Sequence, residues 1–282
     1  MFVLEQPCGF LASAIGQPFP DKGLAALTIP GYGVQRCVVV RLNSGGLFVY
    51  SAIAPTAEAL SLLRDIGDEV AHIVFPCTAP ENWYYVPALA DAFPEATISA
   101  APSIFYSEEG YIPWAKDVRT PAIEKIKKCR NPVVLSTGDG FGEGASEVVA
   151  DVWYAGPLYS EVTFVHQASG TLMCSDSLVG VAKRKQKKGK DKEKGKGNKE
   201  EPPERGGGGG GGGGGGEMVY VLTSPVTRRL AKKSRASARA WADGIRRRGG
   251  FDRVVSTRGS FVPVDADPDT VRAVILDEEE AA

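Results

Sequence analysis

The chain contains very little histidine: two residues, His72 and His166, among 282. Catalytic zinc sites need about three protein ligands and an open position for water, and imidazole is the commonest of those ligands. Two histidines therefore exclude a metal site built mainly on imidazole. A metal centre in this protein would have to use cysteine and carboxylate ligands.

Cysteine is also scarce. The five residues show no C-x-x-C spacing: Cys8, Cys37, Cys77, Cys129 and Cys174. Two of them lie inside apolar segments typical of strands, where free cysteine usually packs as a small hydrophobic side chain. This usage indicates reduced thiols in an intracellular protein rather than a disulfide framework.

Long apolar runs are missing as well. No segment approaches the roughly 20 apolar residues needed to cross a bilayer, so no membrane partner is expected. Met1–Pro7 has no basic residue and carries Glu5, which disfavours a secretory signal. We expect an intracellular protein, cytoplasmic in the first instance, with the nucleus and the plastid left open.

The hydrophobic content of 43% is enough for one substantial core. The core is interrupted by an insert at residues 183–217, which begins with a Lys-rich tract and ends in the unbroken glycine run Gly206–Gly216. Such a segment has no apolar surface to offset the entropy of ordering. We therefore predict a first core part at 1–182, a disordered and dispensable insert, and a closing part with an acidic tail at 218–282.

The Lys-rich tract Lys183–Lys199 has two interpretations. It matches the composition of nuclear-localisation or nucleic-acid-binding patches. The commoner explanation is a solvated loop expansion, because long surface insertions cost little stability. The segment Val226–Arg248 is predicted to form one long basic helix ended by Gly249-Gly250. Its cations either form a solvated outer face, which is commoner, or contact nucleic acid or an acidic partner.

Several motifs occur in a fixed order along the core. Two strand-like runs, Arg36–Leu42 and Gly46–Ser51, are joined by a turn containing Asn43 and Gly45. The apolar strand at 70–75 runs into Cys77-Thr78-Ala79-Pro80-Glu81-Asn82 and then a helix. A later hairpin at 161–178 ends in Ser169-Gly170-Thr171-Leu172-Met173-Cys174-Ser175-Asp176.

This order resembles the metallo-β-lactamase-fold superfamily. Within it, the chain is similar to an uncharacterised group, a domain of unknown function, in which the metal ligands are degenerate. The residues that carry this similarity are Gly33, Arg36, Arg41, Leu42, Ser169, Thr171, Leu172 and Asp176. The resemblance implies a four-layer αββα sandwich, and the alternation of strands and helices favours the same α/β class. A helix at Thr56–Ile66, capped by Thr56 and closed by Gly67, fits that pattern.

The resemblance also places the ligand positions. The H-x-H-x-D-H motif of the superfamily falls on Cys77, Ala79, Glu81 and Asn82, and its later ligands fall on Pro157, Asp176 and Arg258. Only Asp176 keeps its ligand type. Alanine and proline cannot ligate a metal, and arginine stays protonated.

We therefore expect a degenerate cleft formed by Cys77, Glu81, Asn82, Asp176 and Arg258. No cofactor is predicted; zinc held by Cys77, Glu81 and Asp176 is the alternative, and Asp176 is the candidate catalytic residue. An ion pair between Asp176 and Arg258 is expected to replace the charge of the missing cation.

Three functions follow from this cleft and the basic segments. The first is a non-catalytic protein, a pseudoenzyme, that binds an unknown ligand or protein partner in the cleft. The second is a metal-dependent hydrolase with a reduced site. The third is a nucleic-acid-associated protein that uses Lys183–Lys199 and the basic helix.

Overall fold

The computed structural model describes residues 1–7, 34–67, 69–78, 82, 85–106, 132–157, 159–183, 218–223, 225–257 and 264–277. Several expectations lie outside the described residues: those for Glu81, for Arg258, and for all of the insert beyond Lys183. The domain boundaries proposed around the insert therefore remain predictions.

The first part of the chain builds a six-stranded mixed sheet, sheet 1. Its strands, in spatial and chain order, are β1 (Phe2–Pro7), β2 (Val34–Arg41), β3 (Leu47–Tyr50), β4 (Val70–Phe75), β5 (Thr97–Ala100) and β6 (Val133–Val134). The pairs β1–β2 and β2–β3 are antiparallel, and the pairs from β3 to β6 are parallel. The predicted hairpin is confirmed, and its turn places Gly45 and Gly46 at positive φ.

The second part builds a six-stranded sheet, sheet 2. Its spatial order is β14 (Val264–Asp265), β13 (Arg253–Ser256), β10 (Thr171–Cys174), β9 (Tyr159–His166), β8 (Val148–Gly156) and β7 (Gly140–Phe141). Only the β10–β13 pair is parallel. Every residue of β9 is buried, as expected for a central strand covered on both faces.

Helices cover the outer faces of both sheets. They are α1 (Ala57–Ile66), α2 (Val86–Ala92), α3 (Ser103–Tyr106), α4 (Pro225–Lys233), α5 (Arg235–Arg248) and α6 (Pro268–Leu276). The prediction for α1 is confirmed: the Thr56 side chain accepts from the Ala59 amide, and Gly67 caps the end. Within the described ranges, no helix is both long enough and apolar enough to cross a bilayer.

Two apolar cores hold the layers together. One joins the facing sides of the sheets and continues under α1 and α2; in it Phe48 of β3 meets Phe164 of β9 edge to face, with ring centroids 5.1 Å apart. The other lies between sheet 2 and the helices α5 and α6, where Trp241 stacks on Trp153 at 5.2 Å. The order helix, sheet, sheet, helix confirms the predicted four-layer αββα sandwich.

The predicted single helix at Val226–Arg248 is wrong: the structure has two helices, α4 and α5, separated at Ser234. The backbone of Ser234 leaves helical geometry at φ −112° and ψ 43°. Its amide and its hydroxyl both donate to the Leu230 carbonyl, at 2.8 and 2.9 Å. Helix propensity and the charge pattern continue through Ser234, so neither of them predicts the break.

A two-stranded hairpin carries the insert. Strand β11 (Leu178–Lys183) pairs antiparallel with β12 (Met218–Thr223), and Lys183 lies opposite Met218. The two ends of the insert are therefore neighbours in the structure, so a short turn would be long enough to replace it. The other end of the hairpin lies beside Asp176.

Candidate functional site

The two sheets converge at the end of β4, near Cys77, Asn82 and Asp176 of the predicted cleft. The Val162 amide on β9 donates to the Pro76 carbonyl at 2.7 Å, and Cys77 bridges Glu161 across the sheets. On the other side the Arg36 amide of β2 donates to the Thr257 carbonyl, which follows β13, at 3.2 Å. The carboxyl ends of β4, β10 and β13 thereby meet, which is the usual place for sites in α/β proteins.

Asn82 is the centre of a buried polar network at this point. Its Oδ1 accepts from the Ser51 hydroxyl at 2.8 Å and from the Ser175 hydroxyl at 3.0 Å. Its Nδ2 donates to the Cys77 sulfur at 3.1 Å. The Thr257 hydroxyl donates to Ser175 at 3.2 Å. One amide thus joins sheet 1 to sheet 2.

Cys77 and Asp176 form a close pair beside that amide. The Cys77 thiol donates to Asp176 Oδ2 at 3.2 Å. Cys77 is fully buried, whereas Asp176 is partly exposed. The Thr227 hydroxyl of α4 donates to the Asp176 backbone carbonyl at 2.9 Å, so α4 helps to hold this loop.

Glu161 fixes the loop from which Asp176 projects. Its Oε1 accepts from the Ser175 amide at 2.8 Å and the Ser177 hydroxyl at 2.6 Å. Its Oε2 accepts from the Ser177 amide at 2.8 Å and the Tyr159 hydroxyl at 2.6 Å. A carboxylate has about four lone-pair sites, and these four donors fill them. Because both neighbours of Asp176 are held in this way, Glu161 is a positioning residue for Asp176.

Burial governs the protonation of this cluster. Desolvation raises the pKa of Glu161, and the hydrogen bonds from Ser177, Tyr159 and Ser175 oppose that shift. Desolvation, followed by repulsion from Glu161, raises the pKa of Asp176 to about 7, against a smaller opposing effect of the Cys77 hydrogen bond. Asp176 therefore changes protonation close to neutral pH.

Ser51 adds backbone strain at the same place. It lies directly after β3 with φ +65°, a conformation that residues other than glycine adopt at a cost of about 1 kcal/mol or more. Its side chain is fully buried and bonded to Asn82. Backbone strain of this kind is concentrated at functional sites, where the surrounding structure holds the residue in place, and it therefore supports a functional role for the cleft.

The structure brings three of the five predicted cleft residues together: Cys77, Asn82 and Asp176. Glu81 and Arg258 lie outside the described residues, so their place in the cleft and the Asp176–Arg258 ion pair stay predictions. The resemblance assigns the aspartate after the second strand of the opening hairpin to Ser51 or to its neighbour Ala52.

The sequence interpretation missed Glu161, Ser175 and Thr257. Glu161 carries a signal of its own, because a charged residue beside Val162, Phe164 and Val165 in a buried strand needs dedicated donors. Ser175 and Thr257 carry no signal of their own, since serine and threonine at strand ends are common for many reasons.

The described donors do not fit a catalytic metal. Cys77 and Asp176 supply two ligand atoms, whereas about three protein ligands are needed. Both oxygens of Glu161 are occupied by donors, and Asn82 turns its amide nitrogen toward the sulfur. Within the ranges the structure describes, no three His, Cys, Asp or Glu side chains converge on one point.

Comparison with known families and structures gives the following relationships. Residues 24–131 match the family described as "Domain of unknown function (DUF4336)", a stretch shorter than half of the chain. This match confirms the predicted resemblance to an uncharacterised domain. No curated protein sequence matches the chain significantly.

Solved structures with a similar course of the chain include two metallo-β-lactamases and a flavoprotein. A metallo-β-lactamase from Pontibacter korlensis shares 11% identity, covering 88% of each chain, with a TM-score of 0.43. The DIM-1 metallo-β-lactamase shares 13% identity, covering 88% of each chain, at 0.41. A fragment of a putative diflavin flavoprotein from Nostoc shares 10% identity, covering 87% of this chain and 83% of the other, at 0.41. These values carry no argument about activity. The fold class rests on the layers and strand order described above.

Proposed function

We propose that this protein is a non-catalytic member of the metallo-β-lactamase-fold class that binds a ligand or protein partner in its degenerate cleft. The cleft is the network of Ser51, Cys77, Asn82, Ser175 and Asp176 at the converging ends of the two sheets. Asp176 reaches the surface and is the contact residue of the proposal.

One observation carries this proposal. The side chains at three positions where the resemblance expects metal ligands bond to one another instead: Asn82 to Cys77, and Cys77 to Asp176. A buried polar group must be satisfied either by a ligand or by its neighbours. Here the neighbours satisfy these groups, so the cleft needs no cation to be stable.

The charges of the cleft indicate the chemistry of the ligand. Desolvation, followed by repulsion from Glu161, raises the pKa of Asp176, so a negative charge is already unfavourable at this place. An anionic ligand would add a third negative charge in a poorly solvated place. A neutral or cationic ligand with hydrogen-bond donors fits the carboxyl group better.

A reduced metal-dependent hydrolase is the competing function, because Cys77 and Asp176 are adjacent. The test is elemental analysis of the full chain purified with added zinc, manganese or iron, together with assays on ester, phosphodiester and lactam substrates. We expect no stoichiometric metal and no metal-dependent turnover. About one metal per chain, removed by chelator and lost in Asp176→Ala, would replace this proposal by the hydrolase.

A matched gain-of-function variant keeps that test informative. The combined changes Cys77→His, Ala79→His, Glu81→Asp and Asn82→His restore the ligand types that the resemblance assigns to these positions. We expect this variant to take up zinc where the parent does not. Equal zinc content in the parent and the variant would contradict the proposal.

Binding itself is tested by thermal unfolding with small probes. We expect primary amines and neutral polyols to raise Tm and carboxylic acids of similar size to leave it unchanged. The rise should disappear in Asp176→Ala. A set of shifts caused by carboxylic acids alone would contradict the ligand chemistry proposed here.

A further inference from the structure

A cavity on the outer face of sheet 1 is the strongest feature that the cleft does not use. Its volume is about 320 Å³, and it lies where α1 and α2 end, at the start of β4. Each helix connects two parallel neighbouring strands, so both helices run back along the sheet and end at the same edge. This edge is opposite to the cleft, because Val70 begins β4, Cys77 follows its end, and six residues of strand span about 20 Å.

The floor of the cavity is apolar. Leu63 of α1 and Val70 of β4 belong to the core that continues under the helices, and they are 1% and 3% exposed. Phe93, directly after α2, is half-buried and packs against the same core. An apolar floor with a few polar groups at its edge is the usual composition of a small-molecule site.

Charged side chains of both signs form the rim of the cavity. They are Arg64 from α1, Glu69 from the turn before β4, and Glu95 from the turn after α2. All three are exposed, and none of them makes an ion pair within the described part of the chain. They line one cavity without pairing, which leaves their charges available to a bound molecule.

The two signs decide the class of ligand. A simple acid would meet Glu69 and Glu95, whereas a simple amine would leave Arg64 unpaired. The Arg41 guanidinium occupies the space beside Gly67, where it offsets the partial negative charge at the end of α1. The described charges around the cavity therefore nearly balance, and a molecule with one charge of each sign matches them best.

We propose that this cavity binds a free α-amino acid with an apolar side chain. The carboxylate of the ligand pairs with Arg64, whose planar group contacts two oxygens at once. The ammonium group lies at Glu69 and Glu95, and the apolar side chain lies on the floor. The volume suits so small a molecule, because sites for drug-sized ligands begin at about 300 Å³. This function is independent of the cleft.

Three contacts that radiate from one carbon atom also select the hand of the ligand. The D-enantiomer can place only two of its three groups on the guanidinium, the carboxylates and the floor at once. A shallow surface that retains apolar molecules without specificity makes no such distinction. Stereoselectivity is therefore the property that separates a built site from adventitious binding.

The experiment is equilibrium dialysis of radiolabelled L-phenylalanine against the full chain, at ligand concentrations up to about 10 mM. We expect saturable binding of about one molecule per chain. As competitors of the bound label, D-phenylalanine, 3-phenylpropionate and phenethylamine should each be about fivefold weaker than unlabelled L-phenylalanine, since one contact is lost in each case. Competition reports this site alone, even where an amine also binds the cleft.

Charge variants assign the two ends of the ligand. Arg64→Gln should weaken L-phenylalanine about fivefold and remove its advantage over phenethylamine, which has no carboxylate. Glu69→Gln/Glu95→Gln should instead remove its advantage over 3-phenylpropionate, which has no ammonium group. The matched control is Glu58→Gln, an exposed acid on α1 that does not line the cavity, and it should leave all of these values unchanged.

A variant that fills the cavity tests its location. Ala92 lines the cavity at the end of α2, so Ala92→Phe should abolish binding. Ala88 lies one turn earlier on the same helix, is exposed and does not line the cavity, so Ala88→Phe should retain binding. Circular dichroism checks that both variants are folded, and the surface change Arg64→Gln tests the site without any change to the floor.

Three outcomes would overturn the proposal. The first is no binding of L-phenylalanine by the parent protein. The second is equal competition by L- and D-phenylalanine, which would mean adventitious binding to an apolar surface. The third is binding that is lost in Asp176→Ala and retained in Arg64→Gln, which would assign the amino acid to the cleft.

Discussion

Asp151 and Glu161 are two buried carboxyl groups on neighbouring strands, and the protein satisfies them in opposite ways. Asp151 lies under α5 and accepts two hydrogen bonds from the Arg248 guanidinium, one of them at 3.0 Å. Glu161 lies at the cleft and accepts four hydrogen bonds from neutral donors. The first arrangement anchors a helix to the sheet, and the second shapes the loop that presents Asp176.

The difference shows which region is free to change charge. The Asp151 hydrogen bond raises the pKa of Arg248, so the guanidinium stays protonated at every ordinary pH. At the cleft, desolvation raises the pKa of both Glu161 and Asp176. Asp176 at the cleft therefore responds to pH near neutrality, and the Arg248 guanidinium does not.

The largest effect is expected from breaking the ion pair. Arg248→Ala leaves Asp151, which is 2% exposed, buried without its partner. We expect a loss of about 3 kcal/mol in the free energy of unfolding, measured with urea, with part of it recovered in Asp151→Asn/Arg248→Ala. The control is Arg246→Ala, whose pair with Asp269 is exposed and should contribute less than about 0.5 kcal/mol. Equal losses in the two single variants would refute the distinction.

A smaller effect is expected at Glu161. In Glu161→Gln the amide nitrogen faces two donors, so two hydrogen bonds are lost while the volume is unchanged. We expect a loss of about 2 kcal/mol, because each buried hydrogen bond contributes about 1 kcal/mol. The matched control is Glu95→Gln on the surface, which should change stability little. A Glu161→Gln variant as stable as the parent would mean that the four donors do not require a carboxylate.

The smallest effect should appear as a pH dependence. An acid whose pKa is raised in the folded state stabilises the protein below its unfolded pKa, and that stability is lost as pH rises through the folded pKa. For Asp176 this pH window runs from about 4 to about 7, and the largest possible loss in the free energy of unfolding across it is about 4 kcal/mol. Because Asp176 is partly exposed and solvent screens its charge, we expect the actual loss in the free energy of unfolding to be about 1.5 kcal/mol.

The measurement compares urea unfolding of the parent, Asp176→Asn and the surface control Asp65→Asn across that range. Asp176→Asn should remove most of the decrease in unfolding free energy with rising pH. The remaining decrease should come from Glu161, whose pKa is also raised. An unchanged slope in Asp176→Asn would contradict the assignment of this titration.

Sequence reasoning went furthest where the signal is local. The cap at Thr56, the closing Gly67 and the opening hairpin follow from side chains that bond to their own neighbours. The motif order also placed Cys77, Asn82 and Asp176 in one cleft. It failed at Ser234, because helix propensity does not mark the one-residue break between α4 and α5.

The sequence by itself determined the α/β class and the order of the motifs, since both follow from residue type and spacing. Only the tertiary structure decided how the polar side chains at the converging ends of the two sheets bond to one another. Asn82 and Ser175 are far apart in the chain, and their bond exists because two sheets converge. The same holds for Glu161, whose donors include the amides of Ser175 and Ser177 on a distant turn. Contacts of this kind depend on the register and packing of strands, which no local pattern encodes.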